Sequence, residues 1–391
     1  MRRPLADVNV LEFSTAVAGP YAGQLLSDWG ADVLKVEPPD GAEERKTARH
    51  VHHMLNRGKR SLSVDLTTDE GQSLVRGLVD DHVDVLLVNY RPGVMERFGL
   101  DYETLRAEND ALVYCSLSGF GDTGPYSDRP AMDPIAQAMS GIMVMTGEPD
   151  RKPARIGGSL IDMGAATNAV LGVAMALLQQ ATTGVGQKVE SSLLETAASW
   201  GGEWGAYYTL NDEVPQRMGS KKASYAPVGA YETADGLVYV AAFGNPTFER
   251  LCRALELEEL VEDDRFADAA DRRRNRAALD DRLEAATRTY DRAMLVDRLL
   301  DHGVPAARIY EVAEVIEDPH LDHREMFLDM ESEEGTDMVV PATPITLSGS
   351  ARLDSTDLPA VGEDSAAVAQ SLGYDDSQVE ALLDSGVIRS S

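Results

Sequence analysis

Asp162 stands where a short apolar run, Gly157-Gly158-Ser159-Leu160-Ile161, opens onto a stretch with no ionisable side chain from Met163 to Gln180. A run of that length and composition predicts a helix that is largely buried. A carboxylate in its first turn has two roles open to it. It can accept hydrogen bonds from the free amides there, as aspartate does at many helix starts. It can also be a nucleophile, made more basic by desolvation while the positive helix end favours its ionised form. Residue type and position leave both roles open.

Other reactive side chains carry the same ambiguity. Asp133, with Pro134 after it, suits the N-cap of a helix running to Met143, and suits an active-site acid equally well. Gln137 lies one turn along that helix, as a packing group or a substrate contact. The run His50-Val51-His52-His53-Met54-Leu55-Asn56-Arg57 gathers imidazoles and a guanidinium, but no acidic or cysteine ligand pattern accompanies it, so no metal is expected. Cys115 and Cys252 lie far apart in apolar settings, which predicts buried thiols in a reducing compartment.

The elements that must position these groups alternate. Strand patterns at 8–13, 32–37, 83–88 and 112–118 interleave with helical patterns at 21–29, 68–79 and 102–109. Such alternation with apolar strands predicts a doubly wound, mostly parallel sheet. The first strand–helix loop, Ser14 to Pro20, lacks GxGxxG, which argues against a dinucleotide site, although a helix start there can hold a phosphate. The turn Thr183-Gly184-Val185-Gly186-Gln187 ends the long helix, and 188–193 alternates as a strand. Past Trp204 the character changes. Strands at 225–231 and 237–243 flank Ala234-Asp235-Gly236, a hairpin signal, and charged helical sequence follows from 247 to 300. The run Asp271-Arg272-Arg273-Arg274 precedes Asp280, Asp281 and Glu284 and reads as a salt-bridged solvent face. The expected division is a large domain at 1–200, a linker at 201–222, a smaller α/β domain at 223–330, and a segment at 331–391 that returns to the large domain and holds an amphipathic helix near 375–383.

Composition limits the partners. The formal charge is −30, and the 36 basic residues include only seven lysines. That balance disfavours nucleic acid and anionic membranes. Acidic residues spread through a chain that is 43% hydrophobic predict a folded protein of a high-salt cytoplasm, where self-repulsion is screened. Residues 1–13 lack the apolar run of a signal peptide, and the nearest approach to a membrane span, 165–178, contains Thr, Asn and Gly. A soluble, cytoplasmic protein is expected.

Several motifs in order carry a resemblance: Val10-Leu11-Glu12-Phe13, Ala18-Gly19-Pro20-Tyr21, Leu26 through Pro38, Asn56-Arg57-Gly58-Lys59-Arg60-Ser61, Ser118-Gly119-Phe120-Gly121, Asp133-Pro134-Ile135-Ala136-Gln137-Ala138, and the segment from Asp162 through the Gly184–Gly186 turn. The chain resembles the class III coenzyme A transferases, the family that also holds formyl-CoA transferase and the alpha-methylacyl-CoA racemases. The resemblance implies a large Rossmann-like domain plus a smaller α/β domain, an interlocked homodimer, coenzyme A thioesters as substrates, and no tightly bound cofactor. The transferase nucleophile of the family maps onto Asp162. The resemblance points to Val17, Ala18, Pro38, Asn89, Tyr90 and Arg97 as coenzyme A contacts, and places Asp133 near the active site. It lays the 50–57 region over that site, so that His52 and Arg57 are candidates to bind a second carboxylate. Racemases carry a histidine immediately before the aspartate that matches Asp133. Here that residue is Met132, which cannot move an α-proton. Transfer is therefore expected over racemisation, with succinyl-CoA as donor and mesaconate or a related C4–C5 diacid as acceptor. A non-catalytic coenzyme A-binding protein is the remaining alternative.

Overall fold

The computed structural model describes residues 2–332 and 335–391 and divides into two compact units. The larger comprises Met1–Ser140, Gly157–Gly202 and Pro319–Ser391; the smaller comprises Gly141–Ile156 and Glu203–Asp318. Residues 141–156, which the sequence pattern includes in 1–200, thus group with the smaller unit, and the return to the larger one begins at Pro319.

The larger unit is built on seven strands: β1 (Asn9–Phe13), β2 (Asp32–Glu37), β3 (Arg60–Val64), β4 (Val85–Val88), β5 (Val113–Ser118), β6 (Lys188–Ser192) and, from the far end of the chain, β12 (Ile388–Arg389). Their order is β12-β3-β2-β1-β4-β5-β6. All pairs are parallel except β12 on β3, where Ile388 faces Val64. Strands β4 and β5 are buried along their whole length, as strands covered on both faces must be. Chain order reverses between β1 and β4, and the crevice outside their carboxyl ends is where sheets of this kind bind ligands. The loops that open there begin at Ser14 and Asn89.

Flanking helices form where their caps and apolar spacing dictate. Thr68 caps the helix Asp69–His82 by accepting from the Gly71 amide at 3.0 Å. Asp375 and Gln378 form a capping box at the start of Asp376–Asp384. One core joins β1 to β5 with those helices through Leu11, Phe13, Leu74, Leu78, Leu86 and Val379.

The long helix spans Leu160–Thr183. Its buried side (Ile161, Ala165, Ala169, Val173, Ala176) packs on the first helix, Ala18–Asp28, and on β5 and β6. The expectation that this helix is largely buried is corrected: Leu171, Met175 and Leu178 are 55%, 60% and 72% exposed. The sequence is uncharged all round, yet the chain covers only one side of it.

The smaller unit carries β7 (Val228–Glu232), β8 (Leu237–Ala241) and β9 (Ala306–Arg308) in that order, all antiparallel. Helices Gly244–Ala254, Arg276–Thr287 and Arg292–Asp301 close over the sheet around Phe248, Leu251, Leu279, Leu283 and Leu295. In the basic run, Arg272 is buried and donates to the Ala226 and Phe266 carbonyls and to Asn245, so it is a core strut rather than part of a solvent face. The remaining hairpin, β10 (Phe327–Glu331) with β11 (Asp337–Pro341), belongs to the returning segment.

The turn after the long helix shows two different uses of glycine. Gly184 takes φ +75° and returns its amide to the Gln180 carbonyl at 2.7 Å. Gly186 lies against backbone, and a Cβ there would stand 2.2 Å from the Leu112 oxygen and 2.3 Å from the Ala111 oxygen. Gly184→Ala is expected to cost about 1 kcal/mol as left-handed strain. Gly186→Ala should cost about 3 kcal/mol, because strand β6 must move away from β5. Urea midpoints of the two variants check this ranking.

Candidate active site

Asp162 is half-buried in the first turn of the long helix, and it is not the cap. The N-cap position is Ser159, whose carbonyl accepts from the Met163 amide at 3.0 Å. The free amides of the first turn go to a different residue. One oxygen of Asp133 accepts from the Ile161 amide at 2.7 Å and from the Asp162 amide at 3.3 Å. Its other oxygen accepts from Gln137 Nε2 at 2.5 Å. Asp133 therefore caps the long helix from 28 residues away. It does not cap its own helix, Asp133–Met139, where Met132 holds the N-cap position and which ends before the expected Met143. Gln137, wholly buried, steers Asp133.

With capping done by Asp133, the Asp162 carboxylate has, among the described residues, the Ser159 hydroxyl as the one hydrogen-bond partner that favours its charge. Burial, followed by the neighbouring Asp133 charge, pushes its carboxyl up to about 7. The expectation that the helix end keeps it ionised is modified accordingly: the amides that would do so are already spent. A carboxyl poised near neutrality is a stronger nucleophile when ionised than an ordinary carboxylate. Gly157 and Gly158 precede it with open space where a Cβ would stand.

The other predicted contacts fall into two sets. Val17 is the half-buried N-cap of the helix Ala18–Asp28, and Ala18 is buried beneath it. Pro38 is exposed at the end of β2. Asn89 spends both amide atoms on one residue of the first loop: Oδ1 accepts from the Thr15 amide at 2.9 Å and Nδ2 donates to the Thr15 carbonyl at 2.7 Å. Tyr90 packs edge-on against Phe13 at 6.4 Å, and burial pushes its hydroxyl up to about 12. Arg97 is exposed in the short helix Val94–Arg97 and has no ion pair among the described residues. Val17, Ala18, Asn89 and Tyr90 thus gather on the two loops of the switch-point crevice, with Pro38 after the neighbouring strand.

His52 and Arg57 are corrections. Arg57 is 1% exposed; its guanidinium grips both oxygens of Asp28 at 2.9 and 3.1 Å and donates to the Ser355 and Pro341 carbonyls. It ties the returning segment to the first helix and has no surface left for a substrate. His52, in the helix Arg49–Asn56, is 2% exposed. Burial, then the charge of Arg45, holds its imidazole down at about 3, and Asn56 donates to its Nδ1 at 3.1 Å. A neutral, enclosed ring cannot offer positive charge to a carboxylate. Among the described residues no group of His, Cys, Asp and Glu is assembled as a metal site.

Sequence reasoning missed the buried charges beneath the first loop. Glu12, Lys35 and Lys59 are all enclosed, with Lys35 3.1 Å and Lys59 2.7 Å from the Glu12 carboxylate. The signal was present: a charge inside an apolar parallel strand has no solvent face to turn to, and must be paired.

The raised Asp162 carboxyl fixes the sign of a stability effect. The folded state holds its proton up to about pH 7 while the unfolded chain releases it near 3.8. Wild-type stability should therefore fall as pH rises from about 4 to 7. That slope should shrink in Asp162→Asn, and ¹³C titration in Asp133→Asn should find the Asp162 carboxyl below its wild-type value.

Comparison with known proteins identifies the family. The model of CoA-transferase family III matches residues 5–365. The chain is 42% identical over 335 residues to succinyl-CoA–D-citramalate CoA-transferase of Chloroflexus aurantiacus, covering 83% of each chain. It is 36% identical over 360 residues to succinyl-CoA:mesaconate CoA-transferase of Haloarcula hispanica, covering 88% of this chain and 90% of that one. A CaiB/BaiF family protein from Brucella suis superposes with a TM-score of 0.87 at 36% identity, over 95% of this chain and all of the other.

Proposed function

Since the chain belongs to CoA-transferase family III and is an enzyme that transfers coenzyme A, we propose that it carries coenzyme A from succinyl-CoA to a C4–C5 dicarboxylic acid, mesaconate first among them, through a thioester on Asp162. The observation that carries the reading is the division of labour at the long helix: Asp133 takes the amides, and Asp162 keeps a carboxylate of raised basicity free.

The steps balance without an added reagent. An Asp162 oxygen attacks the succinyl thioester carbonyl; the carbon–sulfur bond breaks and coenzyme A leaves as thiolate, giving an aspartyl–succinyl anhydride. The thiolate then attacks the aspartyl carbonyl, releasing succinate and forming the aspartyl thioester. The acceptor carboxylate attacks that carbonyl and displaces the thiolate again. The thiolate finally attacks the acceptor's carbonyl in the new anhydride, which frees the product thioester and restores the Asp162 carboxylate. Amides near Gly157 and Gly158 would stabilise the oxyanions. The crevice loops bearing Val17, Ala18, Asn89 and Tyr90, with Pro38 and Arg97, receive the nucleotide end of coenzyme A. Relatives named for succinyl-CoA with D-citramalate or mesaconate, both five-carbon diacids, support this choice of donor and acceptor. Met132, 68% exposed beside Asp133, puts no base at the position where the racemases carry their histidine. The acidic composition suits a high-salt cytoplasm.

The uncovered side of the long helix supports a homodimer. Leu171, Met175 and Leu178 recur at helical spacing on one face, and a second copy of the chain that interlocks with the first would bury them.

Asp162→Ala should lower kcat at least about a thousandfold while coenzyme A still binds. Wild-type protein incubated with succinyl-CoA should yield a coenzyme A adduct on the Asp162 peptide by mass spectrometry. Normal turnover by the alanine variant ends the nucleophile reading. In a second experiment at high salt, sedimentation should give twice the 42.3 kDa chain mass, and Met175→Glu with Leu178→Glu should halve it. A wild-type monomer that retains activity rules the dimer out.

A further inference from the structure

The first loop of the crevice is held from below by charges that contact no solvent. Glu12 on β1 and Lys35 on β2 face each other in register. One Glu12 oxygen accepts from Lys35 Nζ at 3.1 Å and from the Ser14 hydroxyl at 2.5 Å. Lys35 Nζ also donates to the Ser14 carbonyl at 3.0 Å. The other Glu12 oxygen lies 2.7 Å from Lys59 Nζ, which donates to the Pro20 carbonyl at 2.9 Å. Ser14 opens the loop that carries Val17, and Pro20 lies in the first turn of the helix Ala18–Asp28 that follows it.

Space has been cleared for this cluster. A Cβ on Gly23 would stand 1.8 Å from the Glu12 carboxylate, and one on Gly19 would stand 2.5 Å from Ser14 Cβ. Isolated charges in such surroundings cost far more than they return unless every donor and acceptor is used. Here Lys35 and Lys59 spend donors on the Ser14 and Pro20 carbonyls, and Lys59 also donates to Asn56 Oδ1 at 3.3 Å. The cluster also holds two ammonium groups against one carboxylate. The next acid, Glu37, is matched by Arg45 at 2.8 Å.

We propose that Glu12, Lys35, Lys59 and Ser14 are positioning residues for the acyl-CoA, a buried charge clamp that fixes the 14–20 loop in its ligand-receiving shape. The clamp rests on the reading of that loop as the coenzyme A site. It acts through backbone, so its loss weakens substrate capture and leaves the chemistry at Asp162 unchanged. An ordinary packing defect would instead lower the active fraction, and with it kcat.

The test uses the full-length protein with coenzyme A as probe, and two variants. Ser14→Ala removes the hydroxyl's contacts with Glu12 and Lys35 and keeps all three charges; Lys59→Met removes the hold on Pro20. Hydrogen–deuterium exchange should show wild-type amides 14–20 protected by coenzyme A. In folded Ser14→Ala those amides should exchange faster, with KM for succinyl-CoA raised roughly fivefold to tenfold (about 1–1.4 kcal/mol) and kcat within twofold. Lys59→Met should show the larger KM rise; if it fails to fold, Ser14→Ala decides alone. Protection by coenzyme A in wild type with unchanged KM and exchange in Ser14→Ala overturns the clamp while leaving the loop as the ligand site. No protection of 14–20 in wild type overturns the loop reading itself, and the clamp with it. A fall in kcat at unchanged KM marks the cluster as core packing and also refutes the proposal.

Discussion

A helix offers its first-turn amides once, and the site depends on which carboxylate receives them. Asp133 reaches the start of the long helix from a separate element and accepts from Ile161 and Asp162. Its charge is stabilised there by the helix end and by Gln137. Asp162, one side chain away, gets the cost of that arrangement: burial and a like charge, with little compensation. Two carboxyls of the same chemical type are thereby given different tasks, one hydrogen-bonded into the scaffold and the other pushed up to about 7.

The sheet supplies the second element of the proposed function, a fixed platform where a large anionic ligand would sit. Reversal of strand order between β1 and β4 opens the crevice. The loop on one side is then restrained from several directions. Asn89 grips Thr15, the Glu44 carboxylate accepts from the Ala16 amide at 2.7 Å, and the Glu12 cluster holds Ser14 and Pro20. Ala16 sits at φ +60°, a conformation a non-glycine residue keeps only when its surroundings over-determine it. Rigid loops of this kind reduce the ordering cost of binding.

Much of this was legible in the sequence, for identifiable reasons. The β2 strand falls on 32–37 as its apolar pattern requires, and the long helix and its glycine turn are where composition puts them. Strand β3 and the two-residue β12 were missed, because Arg60-Ser61-Leu62-Ser63-Val64 carries a half-polar pattern and β12 exists only through its pairing with β3. The three-residue β9 is likewise defined by its neighbour. Asp162 was singled out correctly as a residue in the first turn, but its separation from the capping role was not readable, since the true cap arrives from 28 residues away. His52 and Arg57 were misjudged because long polar side chains next to an apolar helix face read as exposed. Partners such as Asp28 and Ser355 become visible only in three dimensions.

The place of β12 has a consequence for how the chain is made. The edge of the large sheet at β3 stays open during synthesis until Ile388 and Arg389 have left the ribosome, although every other strand of that sheet has emerged by Ser192. In the interval β3 presents unpaired peptide groups, the feature of nascent chains that invites wrong partners. The sheet of the smaller unit, by contrast, is drawn from the contiguous span between Val228 and Arg308 and can close while the larger one still waits. The sheet of the larger unit is therefore completed only after the whole sheet of the smaller unit has been made.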